Sequence, residues 1–182
     1  MEAISAVPAR LRRWPGQLPL PFLLLAAAAW LGLYQALLPA SENHMGKERF
    51  RAYSAGSHPR GEVHPLALQV LSTRGYPIDG LRSKSWDEFA RSDAPKMDFI
   101  FTVCDRAAGE SCPAWPGQPI TAHWGFADPV AARGDPDQQL RAFVDTQFQI
   151  AARIRTFLSL PLARIDRLSL QNQLRQMGED PS

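Results

Sequence analysis

Between Asp98 and Cys104 the sequence reads DFIFTVC, an apolar stretch of strand length bounded by polar residues. A strand with one solvated face alternates apolar and polar residues, whereas one that stays apolar needs cover on both faces. Such a strand belongs in a parallel sheet, which requires helices above and below it and crossovers that bring each strand back in the same direction. The chain supplies them from Arg49 onward. FRAYSAG, residues 50–56, reads as a short strand ending in small turn residues, and the loop SHPRGEV follows it. His64 and Pro65 open a helix whose apolar positions Leu68, Val70 and Leu71 precede a stop at Gly75. WDEFA, residues 86–90, is a short helix, and PITAHWGF is a further strand ending in ADP, residues 127–129. Over residues 137–160, Leu140, Phe143, Val144, Ala151, Ile154 and Leu158 recur at helical spacing, with Arg141, Asp145, Gln149, Arg153 and Arg155 as the polar positions between them. A second helical stretch over residues 164–177 carries Ile165, Leu168 and Leu174 and stops at Gly178. The alternation predicts an α/β domain, a parallel sheet with helices on both faces and functional groups at the C-terminal ends of its strands.

Composition narrows what such a domain does. With 182 residues the chain is one ordinary domain plus an appendage, since single cores are comfortable at roughly 100 to 200 residues. Twenty basic and 18 acidic residues leave a net charge of +2, spread along the chain with no basic stripe, so nucleic acid is not an expected partner. Two cysteines are too few for a disulfide-stapled scaffold, and His44, His58, His64 and His123 make no zinc spacing with them. Neither a structural metal nor a cofactor is expected.

The chain changes character near Ser41. Residues 18–40, LPLPFLLLAAAAWLGLYQALLPA, carry no charge, and Arg10, Arg12 and Arg13 stand just before them. Three readings fit: a membrane span, by length; an export signal, by its basic start and small residues near Ala40; or a buried strand and helix of the domain itself. Pro19, Pro21, Gly32, Gln35 and Pro39 interrupt the run, and Lys47, Arg49 and Arg51 balance the arginines ahead of it, so charge sets no orientation. By composition the chain divides into an atypical segment (1–42), the α/β domain (43–160) and a C-terminal helical tail (161–182).

Four pieces in order, SAGSHPRGEVHPLA, LRSKSWDEFA, VCDRAAGESCP and HWGFADP, closely resemble the thioredoxin-coupled type of arsenate reductase, built on the low-molecular-weight tyrosine phosphatase fold. The resemblance runs from about Asn43 to about Leu160 and implies a small four-stranded parallel sheet wound with helices. In that family a loop cysteine attacks arsenate, a second cysteine releases the arsenic adduct, and a third closes a disulfide with the second, which thioredoxin opens. The resemblance makes Cys104 and Cys112 the second and third, and arsenate or a related oxyanion and thioredoxin the partners. Disulfide closure needs α-carbons within about 7 Å, which the insert with Ala107, Ala108, Gly109 and Ser111 permits if it bends, and Arg106 favours a thiolate nearby. Read without the family, Cys104 is a buried strand-end cysteine and Cys112 an incidental loop residue. The phosphatase relatives hold their general acid at an Asp-Pro pair after a strand, which places that role on Asp128; alone, such a pair is a turn. Trp124 and Phe126 read as core or loop anchors, His123 as a hydrogen-bonded structural residue, Ser54 and Ser57 as turn residues, and Arg82 and Lys84 as solvated charges.

The family's decisive loop, Cys-x5-Arg between the first strand and helix, cradles the oxyanion with backbone N–H groups and lowers the pKa of the attacking cysteine. Nothing in residues 1–43 supplies it: in an ungapped alignment Ala28 stands at the nucleophile and Tyr34 near the arginine. Three accounts stand side by side. The gene sequence carries a frame or start error; the chain is a degenerate, membrane-anchored member retaining only a redox pair; or the apolar run replaces the first strand (22–27) and the start of the helix (31–38). The expectation is an arsenate-reductase-like domain, inactive as written and on the cytosolic side, whether or not the run anchors it to a membrane. The alternatives are a membrane-attached redox or partner-binding domain without enzymatic activity, and a tyrosine phosphatase proper.

Overall fold

Four parallel strands, β1 (Leu20–Leu25), β2 (Phe50–Ala55), β3 (Phe99–Thr102) and β4 (Ile120–His123), form one sheet in the order β2-β1-β3-β4. This computed structural model describes residues 20–25, 50–56, 59–103, 115, 117–162 and 164–179. β1 lies between β2 and β3, pairing Leu24 with Ser54 on one side and with Phe101 on the other. The first part of the apolar run is therefore a sheet strand, beginning two residues before the expected 22–27. An unbroken apolar run has no period to mark where a strand starts, so the pairing with its neighbours sets the register. Residues 26–40, including the helix expected over 31–38, lie outside the described residues. Among the described residues no helix is long and apolar enough to cross a membrane.

The reading of β3 as covered on both faces holds. Phe99 and Phe101 turn to one face, where they join α1 (Pro65–Thr73), α3 (Pro136–Ser159) and α4 (Arg167–Glu179) in the main core. Ile100 turns to the other, where it meets Ala55, Trp86, Met97 and Phe89 of the short helix α2 (Asp87–Ala90). On the main face Phe157 of α3 stands edge-on to Phe99 and Phe101, with ring centroids at 5.3 and 5.5 Å, and Trp124 lies 3.8 Å from Phe101. Burying each such ring contributes roughly 1.5–3 kcal/mol, so this aromatic group anchors α3 to the sheet.

Local chemistry fixes the helix ends. His64 caps α1 by accepting the Leu66 N–H on Nδ1 at 3.2 Å, and Pro65 follows at the first turn, where no N–H is missed. At the other end Gly75 takes a φ of 74°, which an L side chain disfavours, and lets the Tyr76 N–H reach back to the Leu71 carbonyl at 3.0 Å. Asp135 and Gln138 form a reciprocal capping box at the start of α3, with bonds of 2.8 and 3.2 Å.

α4 begins at Arg167 and runs through Gly178, correcting the expected stop there. Gly178 instead marks a close approach: a Cβ at this position would stand 1.9 Å from the His123 carbonyl oxygen at the end of β4. Nearby the Trp124 indole donates to the Leu174 carbonyl at 3.0 Å, and Leu170 and Leu174 are buried. The C-terminal helix is thus packed directly on β4.

Candidate active site

In a parallel sheet the C-terminal strand ends gather loops at one edge, and the strand order here reverses direction at β1, between β2 and β3. Four described segments reach that edge. Gly56 follows β2 and is held by residues 84–86, donating to the Lys84 carbonyl at 3.0 Å and accepting from Trp86 N–H at 3.1 Å. His64 opens α1. Val103, fully buried, is the last described residue before Cys104. Residues 124–128 leave β4 and carry Asp128.

Two backbone bonds tie the last two segments together beyond the regular strands. Trp124 N–H donates to the Thr102 carbonyl at 2.7 Å and Phe126 N–H to the Val103 carbonyl at 3.2 Å. The loop bearing Asp128 therefore starts beside the point from which Cys104 leaves β3. Asp128 is half-buried, and its Oδ1 accepts the Val130 N–H at 2.9 Å, capping the 3-10 turn Pro129–Ala131. No second hydrogen bond to the carboxylate is formed among the described residues. The turn predicted from the Asp-Pro pair is the one found. Cys104, Cys112, Ala28 and Tyr34 lie outside the described residues, as does Ser57.

His64 was legible as the start of a helix, not as a neighbour of the Asp128 loop. Burial holds its imidazole below the ordinary value of 6.5 and Arg60 adds to this, while the negative charges of Asp128 and Glu62 pull it back up. Because Nδ1 accepts the cap bond, the neutral ring carries its proton on Nε2. Its ring lies 4.7 Å from Phe143 of α3.

Other side chains fall partly where the sequence put them. His123 is the structural residue expected, its Nδ1 2.9 Å from Thr102 Oγ1. Trp124 is fully buried and Phe126 packs on the core. Arg82 is exposed and forks onto Glu88. Lys84 is half-buried, less solvated than expected: burial lowers its pKa below 10.5, with Arg82 adding to the effect and Glu88 opposing it, and its Nζ donates to the Arg82 carbonyl at 3.4 Å. Arg153, expected on the outer side of α3, is buried at 7% exposure with its guanidinium carbon 4.9 Å over the Phe126 ring. Its spacing gave the signal, for position 153 falls on the face of Ile150 and Phe157, and only the charge argued otherwise. Among the described residues no group of three or more His, Cys, Asp or Glu side chains is placed to hold a metal.

Residues 33–167 match the family of low molecular weight phosphotyrosine protein phosphatases. The chain belongs to that family. The match begins past Ala28, the position at which the nucleophile of the Cys-x5-Arg loop is expected. An arsenate reductase of Halalkalibacterium halodurans is 33% identical over 116 residues, spanning 64% of this chain and 79% of the relative. Among solved structures, a thioredoxin-dependent arsenate reductase of Corynebacterium glutamicum is 25% identical with a TM-score of 0.55, covering 79% of this chain and 62% of that one. An arsenate reductase in its oxidised state superposes with a TM-score of 0.59 at 19% identity, over 75% of this chain and 96% of the other, which is a likeness of fold. The phosphatase-like parallel sheet expected from the four sequence pieces is the fold found.

Proposed function

We propose that this chain is an arsenate-reductase-type domain in which Cys104 and Cys112 form the dithiol recharged by thioredoxin and Asp128 holds the general-acid position. The observation that carries the reading is the bond from Phe126 N–H to the Val103 carbonyl, which sets the Asp128 loop beside the strand end leading to Cys104. The arsenate reductases among its relatives support the substrate class. In the complete relay two thiols give two electrons and two protons to arsenate as the disulfide closes, arsenate leaving as arsenite and one water, and a thioredoxin dithiol then reduces the disulfide by exchange. A pair reset in this way fits the reducing cytosol, where we place the domain.

The chain's only cysteines are these two, so the thiol that would attack arsenate is lacking, and the polypeptide as written does not turn over arsenate. A phosphatase proper would need the same missing loop and would leave the paired cysteines unused. The test is a thioredoxin-coupled assay on the purified chain. Arsenite formation is expected to equal that of the Cys104→Ser variant; turnover above that control overturns the inactivity. Mass spectrometry of the oxidised protein is expected to find a Cys104–Cys112 bond, and its absence overturns the relay. Resequencing the DNA across codons 14–46 tests the frame-error account, which requires an inserted or deleted base that restores Cys-x5-Arg.

A further inference from the structure

An arginine inside an apolar core is costly to desolvate, so one retained there has a partner that fixes its position. Arg153 is 7% exposed, on the α3 face shared with Ile150 and Phe157, and its guanidinium carbon lies 4.9 Å over the Phe126 ring. Phe126 is the junction of the candidate site. Its N–H bonds the Val103 carbonyl at 3.2 Å, and two residues on Asp128 caps the turn through Val130 N–H at 2.9 Å.

We infer that Arg153 is a positioning residue for the acid loop. By holding the face of Phe126 it fixes the separation between the end of β3 and Asp128. A flat cation over a ring restrains tilt as well as distance, which an aliphatic side chain of similar length does not do. The purpose of this restraint rests on the relay reading above, but its test does not.

The experiment is amide hydrogen exchange by NMR on the full chain, comparing wild type with Arg153→Met, Phe126→Leu and the double variant. Tyr76 N–H, bonded to the Leu71 carbonyl at 3.0 Å, is the reference for opening elsewhere in the core. Exchange at Phe126 and Val130 is expected to speed up at least about tenfold in each single variant, with Tyr76 within about twofold of wild type. The double variant is expected to be no faster than the faster single one, because both remove one contact. Wild-type protection at Phe126, or equal acceleration of all three amides, overturns the proposal; the latter would mark Arg153 as a general core residue. If Arg153→Met does not fold, Phe126→Leu and Arg153→Lys decide by the same criteria. Failure to find a Cys104–Cys112 bond would remove the relay and leave these exchange rates to stand or fall alone.

Discussion

Thr102 Oγ1 and His123 Nδ1 meet at 2.9 Å, side by side at the last paired position of β3 and β4. The contact joins the two strands one residue before Val103 and the exit toward Cys104. Replacing Thr102 by Val keeps the shape and removes the hydroxyl, at an expected cost of about 1 kcal/mol, the usual net worth of such a bond. Thr102→Ser keeps the hydroxyl and loses less. Urea unfolding of the two variants checks the ranking, and a stable Thr102→Val would show that the bond contributes nothing.

A glycine inside a helix ordinarily gains about 0.5–1 kcal/mol when changed to alanine. Gly178 is expected to do the opposite. The added Cβ would lie 1.9 Å from the His123 carbonyl oxygen, a backbone atom that no rotamer change can move. Separating α4 from β4 to make room costs about 1–3 kcal/mol, as overpacking generally does. Gly178→Ala should lower the urea midpoint, and the Trp124 fluorescence should change with it, because the indole is bonded to the Leu174 carbonyl of the same helix.

Asp98 stands at the entrance to β3, half-buried, and burial raises its carboxyl pKa above 3.8. The folded state then binds a proton more tightly than the unfolded chain, so this group's contribution is full below 3.8 and is lost as pH rises through the folded value. At neutral pH the ionised form is a liability. Asp98→Asn is therefore expected to stabilise the protein at pH 7, with a gain that shrinks toward pH 3.8 and vanishes below it. Urea midpoints of the two proteins across that range give the answer.

What the sequence disclosed and what it hid follow from the kind of signal each residue carries. β3 was legible because apolar residues at successive positions have one explanation in a small α/β domain, and the ends of α1 because His64, Pro65 and Gly75 act locally. The start of β1 was not, since Leu20 and Phe22 are equally apolar and only pairing with Phe50 and Ala52 tells them apart. Gly178 looked like a helix end because the same missing side chain serves both a turn and a close approach, and the approaching atom belongs to His123, 55 positions earlier. Arg153 was hidden by its charge, although its spacing put it on the buried face. At the candidate site, the turn at Asp128 was legible from an Asp-Pro pair after a strand, whereas the electrostatic link of Asp128 to His64 depends on how the β2–α1 and β4–α3 loops meet.

His64 itself carries a pH dependence, which the Asp128 link opposes. His64 can cap α1 only while Nδ1 holds a free lone pair, and the imidazolium has none. Burial, then Arg60, lowers its pKa below 6.5 against the opposing pull of Asp128 and Glu62, and Phe143 covers the ring from α3. Below 6.5 the unfolded chain binds a proton that the folded state resists, so stability from this group is full above 6.5. It is lost as pH falls from there through the folded value, and is level beneath it. His64→Asn supplies a capping oxygen that does not titrate. Its urea midpoint should match wild type within a few tenths of a molar at pH 7.5 and exceed it at pH 5, the difference opening across that window. Parallel pH profiles for the two proteins would assign the dependence to other groups and remove His64 from the account.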